Sequence, residues 1–300
     1  MASPRATQRQ QPAEAWRIMR WRSRHWAHRE PLTEGVALTM LRIPAGSFEM
    51  GAPETEAESS DQERPVHRVT LGEFLLGQTP ITQAQWRAVA AWQRLEHEDE
   101  KDWPESLDLD PVAKLKHPER FQGEQRPVVN VSWHDAMAFC QRLRLRTGKN
   151  YTLPSQAQWE YACRAGTTTP FHWDATISTV LANYDGREVY GDGERGEYRQ
   201  QTMDVASFPA NPWGLHDMHG NVFEWCADHW HNNYEGAPED GRAWNDVKDK
   251  ERDDIRKFML LRGGSWGGHP ADCRSAFRFN SLQGLRYDAV GFRVCCLPQD

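Results

Sequence analysis

No apolar run in this 300-residue chain is long enough to cross a membrane, and its first residues contain no apolar export core. There is no CxxC pair. The six cysteines, Cys140, Cys163, Cys226, Cys273, Cys295 and Cys296, are scattered, which argues against a zinc cluster or a dense disulfide scaffold. There is no internal repeat. There is no excess of positive charge either: the formal net charge is −7 and the pI about 6.0, so the whole chain is not a generic nucleic-acid binder. These absences predict a cytoplasmic protein with reduced thiols. In that setting the sequon Asn130-Val131-Ser132 carries no glycan.

Tryptophan is plentiful, at 14 residues, which suits a domain that locks irregular loops with large rings. Residues 1–31 form a basic, Trp-bearing extension. Arg5, Arg9, Arg17, Arg20, Arg22, Arg24 and Arg29 face only Glu14 and Glu30, with Trp16, Trp21 and Trp26 interleaved. Two uses stand open: a docking arm for an acidic partner or nucleic acid, or a segment that packs its Trp side chains on the domain. A single domain is predicted over 36–300, with inserts near 96–126 and 232–257. The first insert is rich in acids, among them Glu96, Glu98, Asp99 and Glu100.

Strand patterns fall at 37–43, 47–50, 65–71, 73–76, 258–262 and 291–296, and the third and fourth read as a pair. A helix is predicted at 82–95 after Pro80. Another spans 132–147: Ser132 and Asp135 form a capping box, Ala136, Phe139, Cys140 and Leu143 make an apolar stripe, and Gly148 stops it. A third spans 155–165, capped by Ser155 and Gln158 and ended by Gly166. From 166 to about 257 no period is visible. Compactness there needs loops pinned by Trp packing or ions.

Several stretches, in order, resemble the formylglycine-generating-enzyme family. They are Gly46-Ser47-Phe48-Glu49-Met50-Gly51, Pro127 to Trp133, Leu153 to Ala162, Gly214 to Trp225, Leu261-Arg262-Gly263-Gly264-Ser265-Trp266, and Gly291-Phe292-Arg293-Val294. The resemblance implies an α+β C-type lectin fold with little regular structure and long loops. It also implies copper oxidase chemistry only where two cysteines lie five residues apart after Gly-Gly-Ser, since soft thiolates suit Cu(I). Here the first of those positions is Gly268 and the second Cys273, which argues against copper. The family's iron-dependent, sulfur-transferring branch uses histidines on an extra helical domain. His97, His216, His219, His229 and His231 form no such set. A structural calcium ion is implied at the carbonyls of His219, Gly220 and Val222 with the Glu224 carboxylate, and a second at Asn183, Tyr184 and Glu197. The alternative is that Glu224 pairs with an arginine.

A third branch of the fold, the variable proteins of diversity-generating retroelements, resembles the tail more closely. Their frame reads here as Arg262 to Trp266, then Cys273-Arg274-Ser275-Ala276, then Arg278 and Arg286, then Gly291 to Val294. The positions such elements diversify correspond to Gly267, Gly268, His269, Asp272, Phe277, Phe279, Ser281, Leu282, Leu285, Tyr287, Asp288 and Ala289. Adenine mutagenesis of Asn codons cannot give Lys, Gln, Glu, Met or Trp. None of the twelve is one of these, although those types make up roughly a fifth of the chain. Asn280 and Gln283 stand where the frame has Arg and Pro.

The resemblance implies a non-enzymatic, hypervariable binding protein that meets a variable protein or other macromolecular ligand through 267–289. Phe277, Phe279, Leu282, Leu285 and Tyr287 would form its apolar surface. Alternatively, these five are core, as Phe277-x-Phe279 alternation permits. The rival functions are a metal-dependent oxidase or sulfur-transfer enzyme, and a plain interaction module.

Overall fold

A computed structural model of the protein describes residues 24–95, 102–104, 107–246 and 257–299. Three helices are placed by side-chain caps written in the sequence. In α2, Trp133–Thr147, the Asp135 amide donates to Ser132 Oγ and the Ser132 amide to Asp135 Oδ2 at 2.8 Å; Gly148 ends it at φ +68°. In α3, Gln156–Arg164, Ser155 and Gln158 do the same, but Ala165 takes the left-handed closing position. A third capping box, Thr82 with Gln85, opens α1, Gln83–Ala90, which is shorter than the predicted 82–95.

Around them lie three sheets. The strands are β1 Ala27–Thr33, β2 Val36–Ile43, β3 Gly46–Met50, β4 His67–Leu71, β5 Phe74–Gly77, β6 Asn150–Thr152, β7 Phe223–His229, β8 Phe258–Arg262, β9 Phe279–Leu282, β10 Val290–Gly291 and β11 Cys295–Leu297. The largest sheet has the order β1-β2-β5-β11-β6, so strands from the two ends of the described chain share it. A second sheet runs β10-β7-β8-β9, and β3 pairs with β4. This mixed helix and strand architecture is an α+β, C-type lectin-type fold.

Three expectations change. Strand β1 falls partly inside the predicted extension: it pairs along β2, and Glu30 is buried, accepting from Tyr151 OH at 2.8 Å. Residues 1–23 of the proposed arm lie outside the described residues, as do 96–101 and 105–106 of the first insert and 247–256 of the second. The expected pair 65–71 with 73–76 does not form, because β4 turns to β3 (Phe48 opposite Val69) and β5 to β2 (Leu41 opposite Leu76). The expected strand 291–296 divides between two sheets. Between its halves the backbone serves the approach to α1: Phe292 O accepts from Ile81 N and Val294 O from Gly77 N, both at 2.8 Å.

The core has two large apolar clusters. One joins α1 and α2 to the second sheet, with Phe139 stacked on Trp86 at 5.7 Å and edge-on to Phe292 at 5.3 Å. The other gathers Trp159, Tyr161, Trp230 and Tyr234 around β2–β5. The aperiodic stretch after 166 is pinned by a smaller aromatic cluster of Phe171, Tyr184 and Tyr190, which also holds Cys273.

Candidate functional site

The segment 262–294 alternates between two kinds of position. Arg262, Cys273, Arg274, Ser275, Ala276 and Arg293 are fully buried, and Arg278 is nearly so. Of the twelve positions set apart by the sequence, only Ser281 is buried; Gly267, Phe279, Leu282, Leu285 and Tyr287 are exposed, and the rest are half-buried. Phe279, Leu282, Leu285 and Tyr287 retain 36–48 % of their surface, so these four are not core. Phe277 sits at the rim, half-buried.

Each buried arginine ties distant loops through its planar fork. Arg274 Nη1 donates to Glu56 Oε1 and Glu63 Oε2, each at 2.7 Å, and Nη2 donates to Glu63 Oε1 at 2.8 Å. Arg262 donates to Glu160 Oε2 at 2.5 Å and to the carbonyls of Ser275 and Phe277. Arg278 is sandwiched between the rings of Trp230 and Tyr234, 4.7 and 4.3 Å from their centres, and donates to Gln156 Oε1 and Gln62 O. Apart from the Ser275 and Phe277 carbonyls, which Arg262 ties within the segment, every partner named lies far away in sequence, so these side chains set the path of the segment.

The glycines divide the same way. Gly263 (φ +96°) and Gly264 (φ +72°) need the left-handed region, and a Cβ on Gly264 would sit 2.6 Å from Cys273 Sγ. Gly267 and Gly268 have no such requirement. A Cβ on Gly267 would meet only Tyr198 Oη at 3.6 Å, and one on Gly268 would meet Asp272 Oδ2 at 3.1 Å.

The exposed positions form two groups. Phe279 stacks on Phe223 at 5.5 Å, and Phe277 lies 6.4 Å from the same ring; Leu282, Leu285 and Tyr287 follow. Around the other group, Gly267, Gly268, His269 and Asp272, stand Tyr198, Asp185 and Glu58: Asp185 N donates to Gly268 O, and His269 lies 3.5 Å from Glu58 Oε2. Trp266 stands between the groups, facing Tyr198 at 6.2 Å and donating its indole N–H to Asp288 O. Phe223 was not among the residues the sequence assigned to this surface. Its signal was its place as the half-open position of the Gly220-Asn221-Val222-Phe223-Glu224-Trp225 motif.

The implied metal sites can be tested against the side chains present. Glu224 is fully buried, and Arg293 grips both its oxygens at 2.6 and 2.7 Å while Trp159 Nε1 donates to Oε2 at 2.8 Å. A guanidinium already neutralises that carboxylate, so the residues around Glu224 do not fit a calcium ion. Of the three carbonyls, that of Gly220 is engaged as well, accepting from Val222 N at 3.0 Å. In the second set, Tyr184 donates to Ile177 O, and Glu197 is 66 % exposed and pairs with Arg199. Asn183 Oδ1 is buried without a partner, but one amide oxygen falls short of the six to eight that calcium takes. Among the described residues, no group of three or more His, Cys, Asp or Glu is placed to hold a metal.

Thiol chemistry meets a similar obstacle. Cys273 is wholly buried, and burial, then Asp272, pushes its thiol well above the ordinary range. Burial likewise raises Cys163, 3.6 Å from His219 Nε2, to about 12. His231 of the His229-x-His231 pair lies face to face with Trp244 at 3.6 Å.

A family model, the sulfatase-modifying factor enzyme 1-like domain, matches residues 28–296. The chain belongs to that family. Curated relatives within its reach include formylglycine-generating enzyme of Mycobacterium tuberculosis, 29% identical over 86% of this chain and 98% of that protein. Hercynine oxygenase of Mycolicibacterium smegmatis is 28% identical over 81% of this chain and 58% of the relative. Serine/threonine-protein kinase pkn1 of Chlamydia pneumoniae is 27% identical over 88% of this chain; the match spans 39% of the kinase's length. Among solved structures, PvdO from Pseudomonas aeruginosa superposes with a TM-score of 0.68 at 33% identity, covering 87% of this chain and 94% of its own. Treponema denticola variable protein 1 superposes with a TM-score of 0.64 at 23% identity, covering 91% and 99%; at that identity the likeness is one of fold. The family thus contains enzymes, and its fold also serves a protein named for variability. No helix among the described residues is long and apolar enough to cross a membrane.

Proposed function

We propose that this protein is the hypervariable ligand-binding protein of a diversity-generating retroelement, and not an enzyme. It presents the diversified positions between 267 and 289 to a macromolecular ligand from the cytoplasm. One observation carries the reading: positions expected to vary and positions expected to be fixed interleave between 262 and 294, and burial divides them, with Ser281 as the sole buried member of the variable set, Arg286 as the sole exposed member of the fixed set and Trp266 half-buried. Diversification by mutagenesis needs sites where any side chain is compatible with the fold, and exposed positions between buried anchors supply that. The apolar character of Phe279, Leu282, Leu285 and Tyr287 fits a binding surface. The likeness in fold to the Treponema variable protein supports the same reading.

The test is the genomic neighbourhood of the gene. The proposal expects a nearby near-copy of the stretch encoding 262–294, differing mainly at adenines, together with a reverse-transcriptase gene. A neighbourhood with neither overturns it. The rival reading, a metal-dependent oxidase or sulfur-transfer enzyme, draws on the family's enzymes. It requires stoichiometric copper or iron in the purified protein and loss of that metal on Cys273→Ala. The glycine at 268 and the buried thiol at 273 stand against it.

A further inference from the structure

We propose that the N-terminal end of α2 is a main-chain clamp for residues 283–289, built so that the side chains shown there can be exchanged without moving the backbone. The purpose assigned to the clamp rests on the binder reading; the clamp itself rests on geometry. Residues 284–287 are all exposed, and an exposed stretch of this kind ordinarily drifts. Here the carbonyl of Tyr287 and those of the residues flanking the stretch are taken up from outside. Gln283 O accepts from Trp133 N at 3.0 Å, Tyr287 O from Asn130 N at 2.8 Å, Ala289 O from Phe223 N at 2.9 Å, and Asp288 O from the Trp266 indole at 3.1 Å. Gln283 N in turn donates to Lys257 O at 2.8 Å.

Most of these bonds join backbone to backbone, so neither partner's side chain takes part. The Trp133 amide is one of the donors that a helix leaves unpaired in its first turn, and the loop satisfies it. Asn130 presents its amide from the left-handed conformation, φ +62°, which Asn tolerates, and its own Nδ2 is held by Pro111 O at 2.6 Å. Besides Trp266, one other side-chain link ties the loop. Arg286 Nε and Nη2 grip the two oxygens of Asp135 at 2.8 and 3.0 Å, and the capping box already fixes that carboxylate. This gives an exposed arginine, set between Leu285 and Tyr287, a reason to be constant while its neighbours change. Arg286 and Asp135 are positioning residues for the surface.

Amide hydrogen exchange on the full chain tests this. Inside the loop the amide of 285 donates to Leu282 O and that of 290 to Tyr287 O, so both report on it. The clamp predicts that combining Leu282→Ala, Leu285→Ala, Tyr287→Ala and Asp288→Ala leaves protection at 285 and 290 within about twofold, after correction for intrinsic rates. Arg286→Ala should lower protection there about fivefold and leave the interior of α2 and β8 unchanged. Arg286→Lys should recover only part of it, since an ammonium cannot reproduce the two-pronged grip. The proposal is overturned if the fourfold variant loses as much protection as Arg286→Ala, or if Arg286→Ala changes nothing. Absence of a template copy in the genome would defeat the binder reading and leave these exchange rates as they are, so the two failures are separable.

Discussion

Two sets of side chains share the stretch from 262 to 294, and they answer to different physics. Arg262, Arg274, Arg278 and Arg293 are charged yet buried, each meeting partners from remote segments. Phe279, Leu282, Leu285 and Tyr287 are apolar or aromatic yet exposed. Both sets invert the usual sorting of polar outside and apolar inside. An inversion of the first kind needs paired charge or hydrogen bonds to be tolerable, which each guanidinium has through part of its fork although Arg262 Nε, Arg274 Nε and Arg278 Nη2 are left without a partner, and so resists change. One of the second kind is neutral to the fold, and is useful only to something outside it.

The sharpest way to break this contrast is to remove a buried cation. Arg274→Ala leaves Glu56 and Glu63 buried without their partner and should cost about 3–5 kcal/mol in urea unfolding. A loss under about 1 kcal/mol would mean that the buried arginines are not anchors. Next come the glycines. Gly264→Ala should cost about 2 kcal/mol or more, from its φ of +72° and its contact with Cys273, while Gly267→Ala should stay within about 0.5 kcal/mol.

A pH experiment sharpens the scaffold half. Burial raises Asp217 to about 6. The folded state therefore holds a proton that the unfolded chain releases near its ordinary 3.8, so this group's contribution is present below that pH and lost as pH rises through 6. Asp217→Asn should gain stability relative to the parent by about 2 kcal/mol between pH 4 and 7. His219, lowered to about 4 by burial, titrates in an overlapping window with opposite sign, but it is common to both proteins and cancels in the difference. A constant difference across that range would refute the assignment to Asp217. The smallest effects belong to the surface: Leu285→Ala and Tyr287→Ala should each move stability by no more than about 0.5 kcal/mol.

Much of this was legible in the sequence, and the remainder was not for identifiable reasons. Local signals held: the caps at Ser132 and Ser155 act over three residues, and the structure places them as read. Strand β7 was missed because its burial is nearly continuous on both faces, which leaves no period of two to detect. Strand β1 was hidden at the end of a basic stretch, and its own arginine, Arg29, lies at an exposed position. The Arg293 grip on Glu224 was foreseen only as an alternative to calcium. Its partners lie 69 residues apart, and no local pattern says which cation wins. The Arg286 link to Asp135 spans 151 residues and was not foreseen at all.

The account turns on the claim that burial, with the clamped Arg286 as the exposed exception, separates what can vary in this segment from what cannot. A saturation scan of 262–294, scored by folded abundance, tests it most directly. The account predicts that Gly267, His269, Phe279, Leu282, Leu285 and Tyr287 accept most substitutions, while Arg262, Gly264, Arg274, Ala276 and Arg293 accept almost none. Equal tolerance in the two sets, or intolerance at the exposed positions, would contradict it.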